Sequence, residues 1–116
     1  MAETIDRATL AEWIRRGAAF DLVDTLPRAP YERHHLPGAL HIVSDDIETE
    51  APRRLPDRRR TVVVYCGSTR CQRSAKAAAR LDRLGYSDVR EYVEGRQDWE
   101  AAGLALDTGA DPESRA

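Results

Sequence analysis

The chain has 116 residues, 41% of them apolar and 33% charged, with a formal net charge of −2. That length makes one domain with a real but modest core, and the small net charge argues against nucleic acid or a membrane surface as partner. No apolar run approaches the roughly 18 residues that span a bilayer, the start Met-Ala-Glu-Thr-Ile-Asp has no secretory signal, and two cysteines five residues apart make no disulfide framework, so a reducing cytoplasm is the expected compartment.

Thr4-Ile5 reads as an edge strand. A helix follows, with Leu10, Trp13 and Ile14 on its inner face and Gly17 as its stop. Either Asp6 or a Thr9–Glu12 capping box starts it. Phe20-Asp-Leu-Val-Asp24 is the next strand, ending in an aspartate that either orients a neighbouring loop or caps its own turn. Pro27 and Pro30 predict an extended connector, and Tyr31 to His34 a short helical turn. Leu36-Pro37-Gly38 then turns the chain into a strand from Ala39 to Ile42. His34 and His35 are adjacent and lack a third ligand at a supporting spacing, so no metal site is expected. His34 is expected to be exposed. For His35, packing within the fold outweighs a catalytic role.

Ser44 is a candidate helix cap with Asp45 and Asp46 in the first turn, and Pro52 is expected to end or break that helix. Arg53, Arg54, Arg58, Arg59 and Arg60 form the one basic cluster, read as a solvated loop or as an anion patch. The run Val62-Val-Val-Tyr65 is β-branched and aromatic, as a central parallel strand requires. A helical pattern begins near Gln72, with Ala77, Ala78, Leu81 and Leu84 on one face and Gly85 at its C-terminal stop. Val89 to Val93 make a further strand. Gly95 turns the chain into a last helix around Trp99, which Gly103 stops. Residues 4–106 are thus the expected domain, and residues 107–116 the expected disordered tail.

The chemistry concentrates between strand and helix, in Cys66-Gly-Ser-Thr-Arg-Cys71-Gln-Arg-Ser74. A cysteine at a strand's carboxyl end, below a helix N-terminus, meets unpaired N–H groups and the positive end of the macrodipole. That environment and nearby cations favour a thiolate. Arg70 and Arg73 oppose the macrodipole, which points to an anion nearby or to solvated side chains. The alternative for Cys66 is an inert cysteine ending a core strand. For Cys71 the alternatives are a resolving thiol and a small residue at the helix start.

Several of these segments, in this order, resemble a single rhodanese-type sulfurtransferase domain across residues 4–106. They are Phe20-Asp-Leu-Val-Asp24, Tyr31-Glu-Arg-His-His-Leu-Pro-Gly-Ala39, Val64-Tyr-Cys66 with Arg73-Ser74, Leu84 to Gly95, and Trp99-Glu-Ala-Ala-Gly-Leu104. The resemblance implies a three-layer α/β fold with a central, mostly parallel sheet flanked by helices. It implies that Cys66 takes sulfane sulfur from a small donor such as thiosulfate as a persulfide, with no cofactor. A thiol (glutathione, a thioredoxin-like or other protein thiol) or cyanide would then accept it. Gly67, Ser68, Thr69, Arg70, Cys71, Gln72 and Arg73 would form the donor-binding loop, with Asp24, Arg28, His35 and Ser74 in support and Gly95 and Arg96 beside it. The commonest loop of the family is C-x-x-G-x-R-S. Here Arg73-Ser74 come two residues later, Thr69 stands in place of the loop glycine, and Leu26 stands where the family often has an arginine.

Two other functions compete with a sulfurtransferase. One is a non-catalytic rhodanese-like module that binds a partner or senses sulfide or redox state. The other is a phosphatase or arsenate reductase, which would need an arginine at position 72, where this chain has Gln72.

Overall fold

The computed structural model describes residues 2–111. Five strands, β1 (Glu3–Thr4), β2 (Phe20–Asp24), β3 (Leu40–His41), β4 (Thr61–Tyr65) and β5 (Val89–Tyr92), form one sheet in the order β1-β5-β4-β2-β3. Every pairing between them is parallel. The helices α1 (Arg7–Arg15), α2 (Arg28–Arg33), α3 (Ile47–Arg54), α4 (Arg73–Arg83) and α5 (Gly95–Ala101) cover both faces.

The period-two alternation of β4 builds both halves of the core. Val62 and Val64 point to one side and pack with Ile47, Ala51 and Leu55 of the α3 segment and Ala77, Ala78 and Leu81 of α4. Val63 and Tyr65 point to the other and pack with Leu10, Tyr31, Tyr92 and Trp99. All four β4 side chains are fully buried, as a strand covered on both faces requires. Cys66, next in line, falls on the α4 side of the sheet.

Asp6 settles the start of α1: its carboxylate accepts the Thr9 N–H at 2.8 Å. Three expectations give way. Pro27 and Pro30 do not hold an extended connector. Pro27 is the N-cap of α2 with φ −59°, and Pro30 lies in the first turn, where a backbone N–H has no helical partner to lose. Ser44 does not cap α3. It opens a 3-10 turn (Ser44–Asp46), and α3 runs through Pro52 to Arg54. Pro52 is exposed, so water can meet the carbonyl its ring deprives of a partner.

The third correction concerns the tail. Residues 107–111 return to the domain. Asp107 bridges to His35 in an isolated antiparallel pair, with backbone N–H to O distances of 2.9 and 2.8 Å. The buried carboxylate of Asp111 pairs with Arg54 at 2.8 Å, their side chains 1% and 7% exposed, and accepts the His41 N–H. The sequence hides this because the segment carries no apolar residue larger than alanine; it is held by charge. The rest of the expected tail, residues 112–116, lies outside the described residues.

Breaking a buried ion pair from one side costs about 3–5 kcal/mol, and Arg54 keeps a bond to the His41 carbonyl. Asp111→Ala is therefore expected to cost about 3 kcal/mol in urea unfolding. A loss within about 0.5 kcal/mol, as for an ordinary surface position, would show that the segment does not hold in solution.

Candidate active site

Backbone bonds fix the loop after β4 before any side chain acts. The Cys66 carbonyl accepts the Arg96 N–H and the Gly67 carbonyl accepts the Gln97 N–H, both at 2.8 Å. The first turn of α5 thus clasps the strand end. Gly95 makes the clasp possible. Its φ is +74°, and a Cβ there would lie 2.6 Å from the Cys66 oxygen and 2.9 Å from the Gly67 carbon and the Ser68 nitrogen. Further on, the Cys71 N–H bonds the Ser68 carbonyl at 3.1 Å, and the Arg70 N–H bonds the Ser68 hydroxyl at 3.3 Å. The loop is a compact turn delivering the chain into α4.

Cys66 is fully buried, but it faces the loop and α4, not an apolar pocket. Its sulfur lies 3.3 Å from the Ser74 hydroxyl and 3.4 Å from the Cys71 carbonyl oxygen. Ser74 in turn donates to the Glu91 carboxylate at 2.7 Å. One hydroxyl proton cannot serve both neighbours, and a carboxylate at 2.7 Å holds it more strongly than a sulfur does. The Ser74 proton therefore goes to Glu91. Burial above all, and then the hydrogen bond the thiol makes to Cys71, push the Cys66 thiol up against the smaller opposing effect of Ser74.

Cys71 behaves in the opposite way. Burial alone would raise it, but the nearby Cys66 thiol and the backbone N–H groups of Gly67 and Arg73 favour its thiolate. With the Arg73 charge added, the balance lowers it. Both cysteines are unbridged thiols. Cys71 lines an open pocket of about 400 Å³ with Ser44, Asp45, Gln72, Arg73 and Lys76, which Cys66 does not line. The environment expected around Cys66 is thus found around its neighbour. At pH 7 an ordinary thiol is only about 3% ionised, and here the one held below its ordinary value is Cys71.

The supporting residues divide. Asp24 is buried and accepts the Leu26 N–H at 2.9 Å and the Tyr65 hydroxyl at 2.7 Å. It caps its own turn and also holds the side chain just before Cys66. Burial raises its carboxyl group despite those bonds. His35 packs: it stacks on Tyr31 with ring centroids 4.0 Å apart and bonds the Tyr31 carbonyl through Nδ1 at 2.8 Å. His34, expected to be exposed, is half-buried. Arg28 is not brought to the loop. It is exposed, 3.9 Å from Glu32 one turn along α2, and lines a separate pocket with His41 and Glu50. Thr69, Arg70 and Gln72 are exposed at the rim. Arg73 reaches back to the Ser44 hydroxyl at 3.3 Å. Arg96 gives its backbone N–H to the clasp, while its guanidinium turns away to the Pro30 and His34 carbonyls at the end of α2. Its Nε is buried without a partner. Among the described residues, no three His, Cys, Asp or Glu side chains group as metal ligands.

Sequence reasoning missed Glu91, whose signal is a carboxylate inside a four-residue strand, and Ser44 and Lys76, which reach the pocket only through the packing of α3 and α4.

A central parallel sheet, a cysteine on its middle strand and an amide-lined loop opening a helix define a class, and the sequence profile of the rhodanese-like domain matches residues 6–102. The chain belongs to the rhodanese-like family. It is 34% identical over 107 residues to the HTH-type transcriptional regulator Rv0324 of Mycobacterium tuberculosis (strain ATCC 25618 / H37Rv), covering 90% of this chain and 46% of that protein. The chain thus spans about half the length of that relative. It is also 31% identical over 81 residues to thiosulfate sulfurtransferase PspE of Escherichia coli (strain K12), covering 70% of this chain and 75% of that one. The solution structure of the rhodanese-like domain of Anabaena sp. Alr3790 superposes with a TM-score of 0.82 and 26% identity, over 100% of this chain and 85% of that domain. Among the described residues, no helix is long and apolar enough to cross a membrane.

Two outcomes follow from the geometry. Gly95→Ala forces a side chain into the clasp as well as into positive φ, and should cost more than the roughly 1–2 kcal/mol of the backbone conformation alone. Gly85→Ala, at φ +93° with nothing within 4 Å of the new Cβ, is the comparison that isolates the backbone cost. Equal losses in chemical denaturation would show that the clasp carries no energy. Second, timed alkylation at pH 7 read by peptide mass should label Cys71 faster than Cys66 by about an order of magnitude. Labelling of Cys66 first would reverse the electrostatic assignment.

Proposed function

We propose that the protein is a sulfurtransferase, moving sulfane sulfur from a small anionic donor such as thiosulfate to a thiol or to cyanide through a persulfide on Cys66. The observation that carries this reading is the position of Cys66. It directly follows the central strand and opens the loop that leads into α4, in a chain of the rhodanese-like family. A relative named for thiosulfate sulfurtransferase activity supports the donor class.

The chemistry needs a sulfur nucleophile, a place for an anionic donor and a persulfide that also leaves. Arg73 and Lys76 put positive charge on the pocket in front of the loop. Thiosulfate loses sulfite as its outer sulfur bonds to cysteine. An acceptor thiolate then attacks that outer sulfur and restores the cysteine. Glutathione, a thioredoxin-like protein or another protein thiol fits the acceptor role, and the compartment that suits it is the reducing cytoplasm.

A second reading is favoured by one observation, the similarity of most of this chain to part of an HTH-type transcriptional regulator. In that reading the domain is a non-catalytic module that binds a partner or reports sulfide or redox state. The phosphatase reading has no support at the loop, where Gln72 holds the position an arginine would need.

Incubation with thiosulfate and weighing of the intact chain tests the proposal. One added sulfur atom is expected, mapped to the Cys66 peptide and released as thiocyanate by cyanide. A chain that gains no sulfur from thiosulfate, mercaptopyruvate or a small-molecule persulfide is not a sulfurtransferase, and the sensing reading would replace it.

A further inference from the structure

We propose that Cys71 is the receiving thiol of a two-cysteine relay: it takes the sulfane sulfur from an anionic donor in the pocket and passes it inward to Cys66. This inference rests on the sulfurtransferase reading and adds a second reacting residue to it.

Three independent features place Cys71 ahead of Cys66. The first is access. Cys71 lines the open pocket and Cys66 is fully buried behind it. The second is charge. Arg73 and Lys76 outnumber Asp45 on the same pocket, so an anionic donor is drawn in beside Cys71. The third is contact. The Cys66 sulfur lies 3.4 Å from the Cys71 carbonyl oxygen, so the two cysteines are already packed against each other across the loop. The amides of Gly67 and Arg73 favour the Cys71 thiolate, and the thiolate is the attacking species.

The steps balance without an outside oxidant or reductant. The Cys71 thiolate attacks the outer sulfur of thiosulfate; the S–S bond of the donor breaks and sulfite leaves with the electron pair. Cys66 then attacks the outer sulfur of the Cys71 persulfide. Its proton goes to the departing Cys71 sulfur, leaving a Cys66 persulfide and a Cys71 thiol. The direction suits the pair, because the thiol with the lower pKa is the better leaving group. The sulfur ends on the cysteine that solvent does not reach, where the loop shields it until an acceptor opens the way.

The test compares wild type with Cys71→Ser and Cys66→Ser in timed reactions with thiosulfate, quenched with an alkylating reagent and weighed before and after reduction. In Cys71→Ser, uptake at pH 7 should slow by about tenfold, because the accessible thiolate that attacks first is gone. It should also fall further on acidification, because Cys66 with its raised pKa must then attack alone. In wild type the alkyl tag should sit on Cys71 as a thioether and survive reduction, while the added sulfur on Cys66 leaves. In Cys66→Ser the sulfur should stop on Cys71, so reduction removes tag and sulfur together. If Cys71→Ser loads at the wild-type rate, or Cys66→Ser takes up no sulfur while wild type does, the relay is wrong and single-cysteine transfer stands. If no chain takes up sulfur from thiosulfate or from a small-molecule persulfide, the sulfurtransferase reading and the relay fall together.

Discussion

Two backbone hydrogen bonds hold the site together: Arg96 N–H to the Cys66 carbonyl and Gln97 N–H to the Gly67 carbonyl. They join the end of the central strand to the first turn of α5. A strand end has no ladder partner for its last carbonyls, and a helix start has N–H groups to spare. Each element satisfies the other. The close approach requires a residue with no side chain at Gly95, whose Cβ position is already occupied by the loop backbone. Once the strand end is pinned, Ser68 to Cys71 must close as a tight turn to enter α4. The amides of Gly67 and Arg73, on either side of that turn, favour the Cys71 thiolate.

The consequence is a division of labour between two thiols that sequence position alone does not reveal. Cys66 continues the alternation of β4 and ends on the side covered by α4, where burial pushes its thiol up. Cys71 comes five residues later, sits at the mouth and collects the donors. A single cysteine in such a loop must be exposed to react and shielded to store a labile sulfur. Two cysteines in contact separate those demands.

The architecture was legible because its signals are local. An apolar β-branched run, a glycine after α1, α4 and α5 and the apolar pattern around Val89 each fix an element without reference to the others. The cysteine loop was legible as a place, since strand, polar turn and helix are consecutive. The protonation states were not. Which sulfur the amides face depends on how the turn folds, and the group that holds the Ser74 proton is Glu91 on another strand. The role expected of Arg28 failed for a similar reason. Two prolines that looked like connector residues open a helix instead, and that helix carries the guanidinium to Glu32 and away from the loop. The segment 107–111 was misread because apolar content is a poor guide where one buried ion pair does the holding.

The clasp is the premise for all of this, and amide hydrogen exchange tests it most directly. The N–H groups of Arg96 and Gln97 should exchange only as slowly as the central strand opens, because both are bonded to its end. Exchange at the rate of an exposed loop would contradict the account, since nothing would then hold the cysteine turn in place.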